Sequence, residues 1–215
     1  YIKIDLLTNK SEVLSFKWLS DEIHQQYRDK YSLKGDYSGY FRQFRVNDDE
    51  SFSMVFEEIF TYSTTGAFGG SASTSYSGKI LVVDYTAKAS ISKAYFAPKL
   101  FIKDTYSPYK EFVYINSGKK SYICFNDTER NNEVKKDKFV EIKAVAELDA
   151  FYYPLTGSDI FPKRDYVFGD KEKGHELLSF GISHYDRKNN VIATLRLSKE
   201  SITDKAVSLV WLQPQ

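Results

Sequence analysis

Cysteine, methionine and tryptophan are nearly absent from this chain: its 215 residues include one Cys, one Met and two Trp. The lone thiol, Cys124, excludes an intrachain disulfide, and with no CxxC pair or Cys/His cluster the familiar structural zinc sites are excluded too. Long apolar runs are also missing. No stretch approaches the ~18 consecutive apolar residues of a membrane helix, so no membrane span is expected. No charged-then-apolar leader precedes Tyr1. Because the chain opens on Tyr rather than Met, the expectation is an extracytoplasmic protein (periplasmic, at the cell surface or secreted) that has lost a leader or anchor. A piece cut from a longer chain would open the same way. Excess charge of one sign is lacking as well: 30 Lys and Arg face 29 Asp and Glu, for a formal net charge of +1. That supplies no global field to steer the chain toward nucleic acid or an acidic membrane.

What the chain has is aromatic surface, in 17 Tyr and 16 Phe. Flat rings pack well across pleated strands, so a sheet-dominated core is expected. An apolar share of 42% and a charged share of 27% are those of a globular protein, not of a disordered one. The length suits a single domain able to bury a core without staples.

Periodicity divides that domain into three parts: a strand plus helical part over 1–62, a Ser/Gly-rich loop over 63–78, and an antiparallel sheet over 79–215. Ile2, Ile4 and Leu6 alternate with polar residues as in a half-buried strand. Asn9 with Glu12 has the spacing of a capping box, and Phe16, Leu19, Ile23 and Tyr27 then recur at helical intervals, predicting a helix that ends near Leu33. A short helix over Asp36 to Val46 is suggested by Tyr37, Tyr40, Phe41 and Phe44. Asn47 with Glu50 reads as a second capping pair before Phe52, Val55, Phe56, Ile59 and Phe60, which predicts a helix from Asp49 to Tyr62. Thr61 to Gly78 is rich in Ser, Thr and Gly and reads as a mobile loop or loose hairpin.

From Lys79 onward β-branched and aromatic runs follow one another: Ile80–Tyr85, Lys99–Lys103, Glu111–Ile115, Ser121–Phe125, Phe139–Tyr153, Leu177–Tyr185, Val191–Leu197 and Val207–Leu212. Asn116-Ser117-Gly118 and Arg187 to Asn190 carry hairpin-turn chemistry, and Asn126 to Asp137 reads as an exposed turn region. Helices followed by strands imply an α+β fold, with N-terminal helices packed on a mainly antiparallel, curved sheet that dominates after residue 79.

The inventory for chemistry is short: His24, His175, His184 and Cys124. His184 and Asp186 are the best local pair, since alternation puts them on one strand face where a carboxylate could orient an imidazole. They define a hydrolase-like alternative, and adding His175 would write a metal triad. Cys124, between Ile123 and Phe125, reads as a small core hydrophobe. Residues 86–125 set seven lysines against Asp104 and Glu111 and interleave them with aromatic rings. That arrangement suits single-stranded nucleic acid or another anionic ligand. Only seven arginines accompany twenty-three lysines, however, and a sheet with one wet face shows the same alternation.

The leading expectation is a non-catalytic binding or assembly domain, with no cofactor and no metal. Its partner would be another protein or a further copy of itself, and its contact surface would be a sheet face bearing Lys99, Phe101, Lys103, Tyr109, Phe112 and Tyr114.

Overall fold

The computed structural model describes residues 2–5, 7–8, 10–13, 19–65, 71–102, 109–117, 120–132, 148–168, 176–198 and 207–213. It is mostly antiparallel sheet, with one α-helix among the described residues. The expected pair of N-terminal helices and the single curved sheet are therefore corrected: the described strands form one hairpin and three larger sheets. β1 (Ile2–Asp5) pairs with β2 (Lys10–Val13). β3 (Tyr40–Val46), β4 (Phe52–Thr65), β5 (Ser71–Tyr85) and β6 (Ile91–Ala97) follow in spatial order, with β7 (Phe101–Ile102) also on β5. β8 (Phe112–Asn116), β9 (Ser121–Asp127), β10 (Asp149–Pro154) and β11 (Asp165–Tyr166) make the next sheet. In the last, β14 (Val191–Ser198) runs between β15 (Val207–Leu212) on one side and β12 (Glu176–Leu178) and β13 (His184–Asp186) on the other.

The helix α1 (Asp21–Tyr31) starts later than the sequence suggests. Ser20 caps it, its hydroxyl accepting the Ile23 amide at 3.3 Å, and Ser32 closes it in the left-handed region at φ 53°. The Asn9/Glu12 box is not a cap, because Glu12 lies in β2 opposite Lys3. Residues 14–18, with Phe16, lie outside the described residues.

The larger correction falls on Asp49 to Tyr62, which is strand β4 and not a helix. Its helix-like spacing arises because the strand is buried on both faces. Phe52 and Phe56 pack with Tyr27 and Tyr31 of α1, Leu81, Val83 and Phe96. Val55 faces the opposite way, with Ile80, Val82 and Tyr95, toward Tyr114, Ile123 and Phe125 of the neighbouring sheet. Helix, sheet and second sheet are thus stacked in layers, and the middle layer shows apolar residues at nearly every position. Asn47 and Glu50 do not cap a helix either. They form the β3–β4 turn, where the Asn47 amide bonds to Ser51 O at 2.8 Å and Glu50 takes φ 64°. The short helix expected over Asp36 to Val46 is strand β3.

The Ser/Gly-rich stretch over 63–78 is likewise strand in its described part. Thr61 pairs with Ser75, Ser63 with Ser73 and Thr65 with Ser71, while Phe60 stacks on Tyr76 at 5.5 Å. Small hydroxyl side chains resemble a linker in composition, yet they suit a ribbon exposed on both faces. At its base β5 bulges, Gly78 and Lys79 standing opposite the single residue Glu58 of β4. A Cβ on Gly78 would come within 2.8 Å of the Phe60 ring and 2.9 Å of Glu58, so the close approach requires glycine.

Beyond residue 79 the strand expectations fare better. The two hairpin signals are the turns of β8–β9 and β13–β14. Leu177–Tyr185 is broken by a 3-10 turn at Phe180–Ile182. Of Phe139–Tyr153 only the end is described, in β10. The supposedly exposed Asn126 is instead buried, its amide holding the carbonyls of Tyr109 and Leu178 at 2.9 and 2.7 Å. No described helix is long and apolar enough to cross a membrane, which says nothing of crossing by strands.

Candidate functional site

The aromatic and lysine-bearing residues expected on one sheet face are interior residues. Lys99 and Phe101 are 1% exposed, Phe112 6% and Tyr114 0%. Tyr109 is half-buried against the small cluster of Phe101, Leu148 and Leu177. Lys103 lies outside the described residues. These side chains meet because the end of β6, β7 and β8 converge where β5 bulges against Glu57 and Glu58 of β4. There the Lys99 ammonium bonds to the Glu57 carboxylate and, at 2.9 Å, to Ser77 Oγ. It also sits 5.6 and 5.4 Å from the ring centroids of Phe101 and Phe112. Arg42 reaches the other Glu57 oxygen at 3.3 Å and Glu111 at 2.7 Å.

Burial opposes both charges of this pair. It lowers the Lys99 pKa despite Glu57. At Glu57 burial pulls upward, but the Lys99 ammonium, Ser77 and Arg42 outweigh it and hold the carboxyl below its ordinary value. Tyr114 also faces inward, its hydroxyl 2.9 Å from Ser53 Oγ across the two sheets. In the basic segment 86–125 the rings of Tyr95, Phe96, Phe101, Phe112 and Tyr114 are buried and that of Tyr109 is half-buried.

His184 and Asp186 sit at the start of the β13–β14 hairpin, and no hydrogen bond joins them among the described residues. His184 is exposed. The Asp186 carboxylate accepts the Lys188 and Asn189 amides at 3.0 and 3.2 Å and the Asn189 side chain at 2.6 Å. Those bonds hold its pKa below the usual value, and they explain the residue as a turn clasp. Phe180 and Ile182 are not on its strand face but in the preceding 3-10 turn. His175 lies outside the described residues, and the described ones contain no group of three metal-ligating side chains. Cys124 is buried, its thiol pushed up to about 12 by burial.

Two features that the sequence does not flag stand out. One is β15. Among the described residues it pairs only with β14, so its far edge is open. Val210 and Leu212 pack against the main core, while Val207, Leu209 and Trp211 on the other face are 58%, 52% and 65% exposed. Alternation marks this segment as a strand, but apolar residues at five of the six positions hide which face is inward.

The other feature is a buried ion pair. The Arg164 guanidinium binds Asp127 and the carbonyls of Thr128 and Glu129, the latter two at 2.8 and 3.1 Å, and lies 3.8 Å over the Phe151 ring. Asp127 also accepts from Asn131 and from the Thr128 amide. Burial nevertheless pushes its carboxyl up to about 6, against the pull of Arg164.

Because the folded state holds that proton more tightly than the unfolded chain, it binds more protons between about pH 4 and 6. The contribution of Asp127 to stability is therefore largest below that window and is lost as the pH rises through it, by up to about 3 kcal/mol. Urea unfolding of wild type and Asp127→Asn at pH 4 and pH 7 measures this. The wild type should lose stability relative to the variant on going to pH 7, and equal pH slopes would refute the assignment.

The sequence matches no family model, and no curated protein or solved structure is similar to it. The chain is therefore classed by its own architecture, as a β-rich protein of layered antiparallel sheets with one covering helix among the described residues.

Proposed function

We propose that this chain is a non-catalytic assembly domain that joins a second copy of itself along the open edge of β15. The observation that carries this reading is the exposed row of Val207, Leu209 and Trp211 beside a strand edge that none of the described strands pairs. Proteins usually blunt such edges with charge, proline or a bulge. Val-Ser-Leu-Val-Trp-Leu has none of these. By contrast β3, which also exposes Tyr40, Phe41 and Phe44, carries Arg42 and Arg45 and a register break between Phe41 and Gln43. An uncharged strand can pair antiparallel with its own copy without setting like charges opposite one another, and twofold pairing closes the assembly at a dimer. Tryptophan is the residue type most often dominant in such contacts.

Sedimentation equilibrium tests the proposal. Wild type should dimerise, while Leu209→Lys with Trp211→Lys should remain monomeric and keep the wild-type circular dichroism spectrum. A wild type still monomeric at about 100 μM, a concentration at which a Kd in the micromolar range would be saturated, sinks the idea. So does a variant that associates equally well.

A further inference from the structure

A cavity of about 310 Å3 opens beside the Arg164–Asp127 pair, between the C-terminal turn of α1, the end of β6 and the 159–164 loop. This is the low end of the size range of small-molecule sites. Its charge is positive on balance, because Arg164 is already paired with Asp127 and two lysines remain against one further carboxylate. Arg164, Lys30 and Lys163 line it against one carboxylate, Asp159, whose Oδ1 is engaged by the Phe161 amide at 2.8 Å. Lys30 and Lys163 stand exposed at the mouth and have no ion pair among the described residues. Arg164 lies deeper, its side chain 2% exposed.

The Arg164 Nη groups are committed to Asp127, Thr128 and Glu129 and the guanidinium also acts on the Tyr153 hydroxyl, while its buried Nε–H meets no acceptor among the described residues. A buried donor left unmatched is costly, and an acceptor brought by a ligand would remove that cost. The walls are aromatic. Phe161 stacks on Phe96 at 5.7 Å and meets Tyr31 edge-on at 5.8 Å, while the Lys30 ammonium lies 5.0 Å from its centroid.

We infer that this cavity binds a phosphate monoester of a flat ring, the phosphate set among Arg164, Lys30 and Lys163 and the ring against Tyr31 and Phe161. Two unpaired ammonium groups beside an arginine suit a phosphate, and arginine and lysine together are the usual recognition set for it. The site is remote in sequence from β15 and does not depend on assembly there.

Phenyl phosphate is the probe, titrated calorimetrically into the full chain, with inorganic phosphate and phenol as separate arms. Phenyl phosphate should bind saturably, inorganic phosphate more weakly and phenol not measurably. Since Arg164 also supports the fold, the deciding variant is Lys30→Glu with Lys163→Glu, both exposed positions. It should weaken phenyl phosphate at least about tenfold while keeping the wild-type circular dichroism spectrum and a cooperative unfolding transition. The inference is overturned by no saturable binding up to about 10 mM. It is equally overturned by an affinity that the double variant leaves within about twofold, or by inorganic phosphate or phenol binding as tightly as phenyl phosphate.

Discussion

Replacing Lys99 by methionine is expected to destabilise the fold by about 3–5 kcal/mol, because it leaves the Glu57 carboxylate buried without its main counter-charge. The Lys99 and Glu57 side chains are 1% and 3% exposed, so water cannot take over the lost interaction. Arg42, 3.3 Å from the second Glu57 oxygen, retains part of the compensation, which places the expectation toward the lower end of that range. Removing both charges should do less harm than removing one, since an apolar pair of similar volume avoids desolvating either ion. Lys99→Met with Glu57→Leu should therefore recover most of the loss. Urea denaturation of the single and double variants measures both steps. A single-variant loss below about 1 kcal/mol would mean that the pair is solvated and that the interior assigned to it is open.

The pH dependence of the pair follows from Glu57. Its carboxyl is held below the ordinary value in the folded state, so its contribution is present above the unfolded pKa of about 4.3. That contribution is lost as the pH falls through the lowered folded value. The sign is opposite to that at Asp127, whose contribution fades as the pH rises. The two buried carboxylates differ because Glu57 meets both an ammonium and a guanidinium, whereas burial dominates at Asp127.

Phe56→Ala is expected to cost about 3–5 kcal/mol, as large aromatic truncations in a packed core do. Phe56 is 2% exposed in the layer between α1 and the middle sheet, and its ring lies 6.0 Å from Phe41. Few backbone shifts can close the space its ring would leave, since β4 is hydrogen-bonded to β3 on one side and β5 on the other. Chemical denaturation should show the loss as a lower midpoint with an unchanged slope. A loss under about 1 kcal/mol would place the ring outside the core.

The burial of Phe56 was legible in the sequence although its secondary structure was not. Phe52, Val55, Phe56, Ile59 and Phe60 fall at helical intervals, but β4 meets a helix on one face and a sheet on the other, so its apolar residues need not alternate. Two-sided burial erases the period-two signal. The Asn47 to Glu50 segment added to the error, because the side chains that cap helices also close hairpins. Where one face meets water and a turn closes the hairpin locally, as at Asn116 to Ser121 and Asp186 to Val191, pattern and structure agree.

The candidate site was less legible. Lys99 and its aromatic neighbours looked like a wet face because lysine is almost always exposed; only the partner Glu57, forty-two positions away, makes its burial tolerable. Arg164 gives no local signal at all. By itself the sequence determined a β-rich, aromatic-cored protein without an intrachain disulfide, since those properties follow from composition and from local strand and turn preferences. Which strand became an open edge, which lysine went inside and which arginine came to line a cavity were decided only by tertiary structure. Those outcomes depend on which distant segments pack against one another, and no local pattern carries that information.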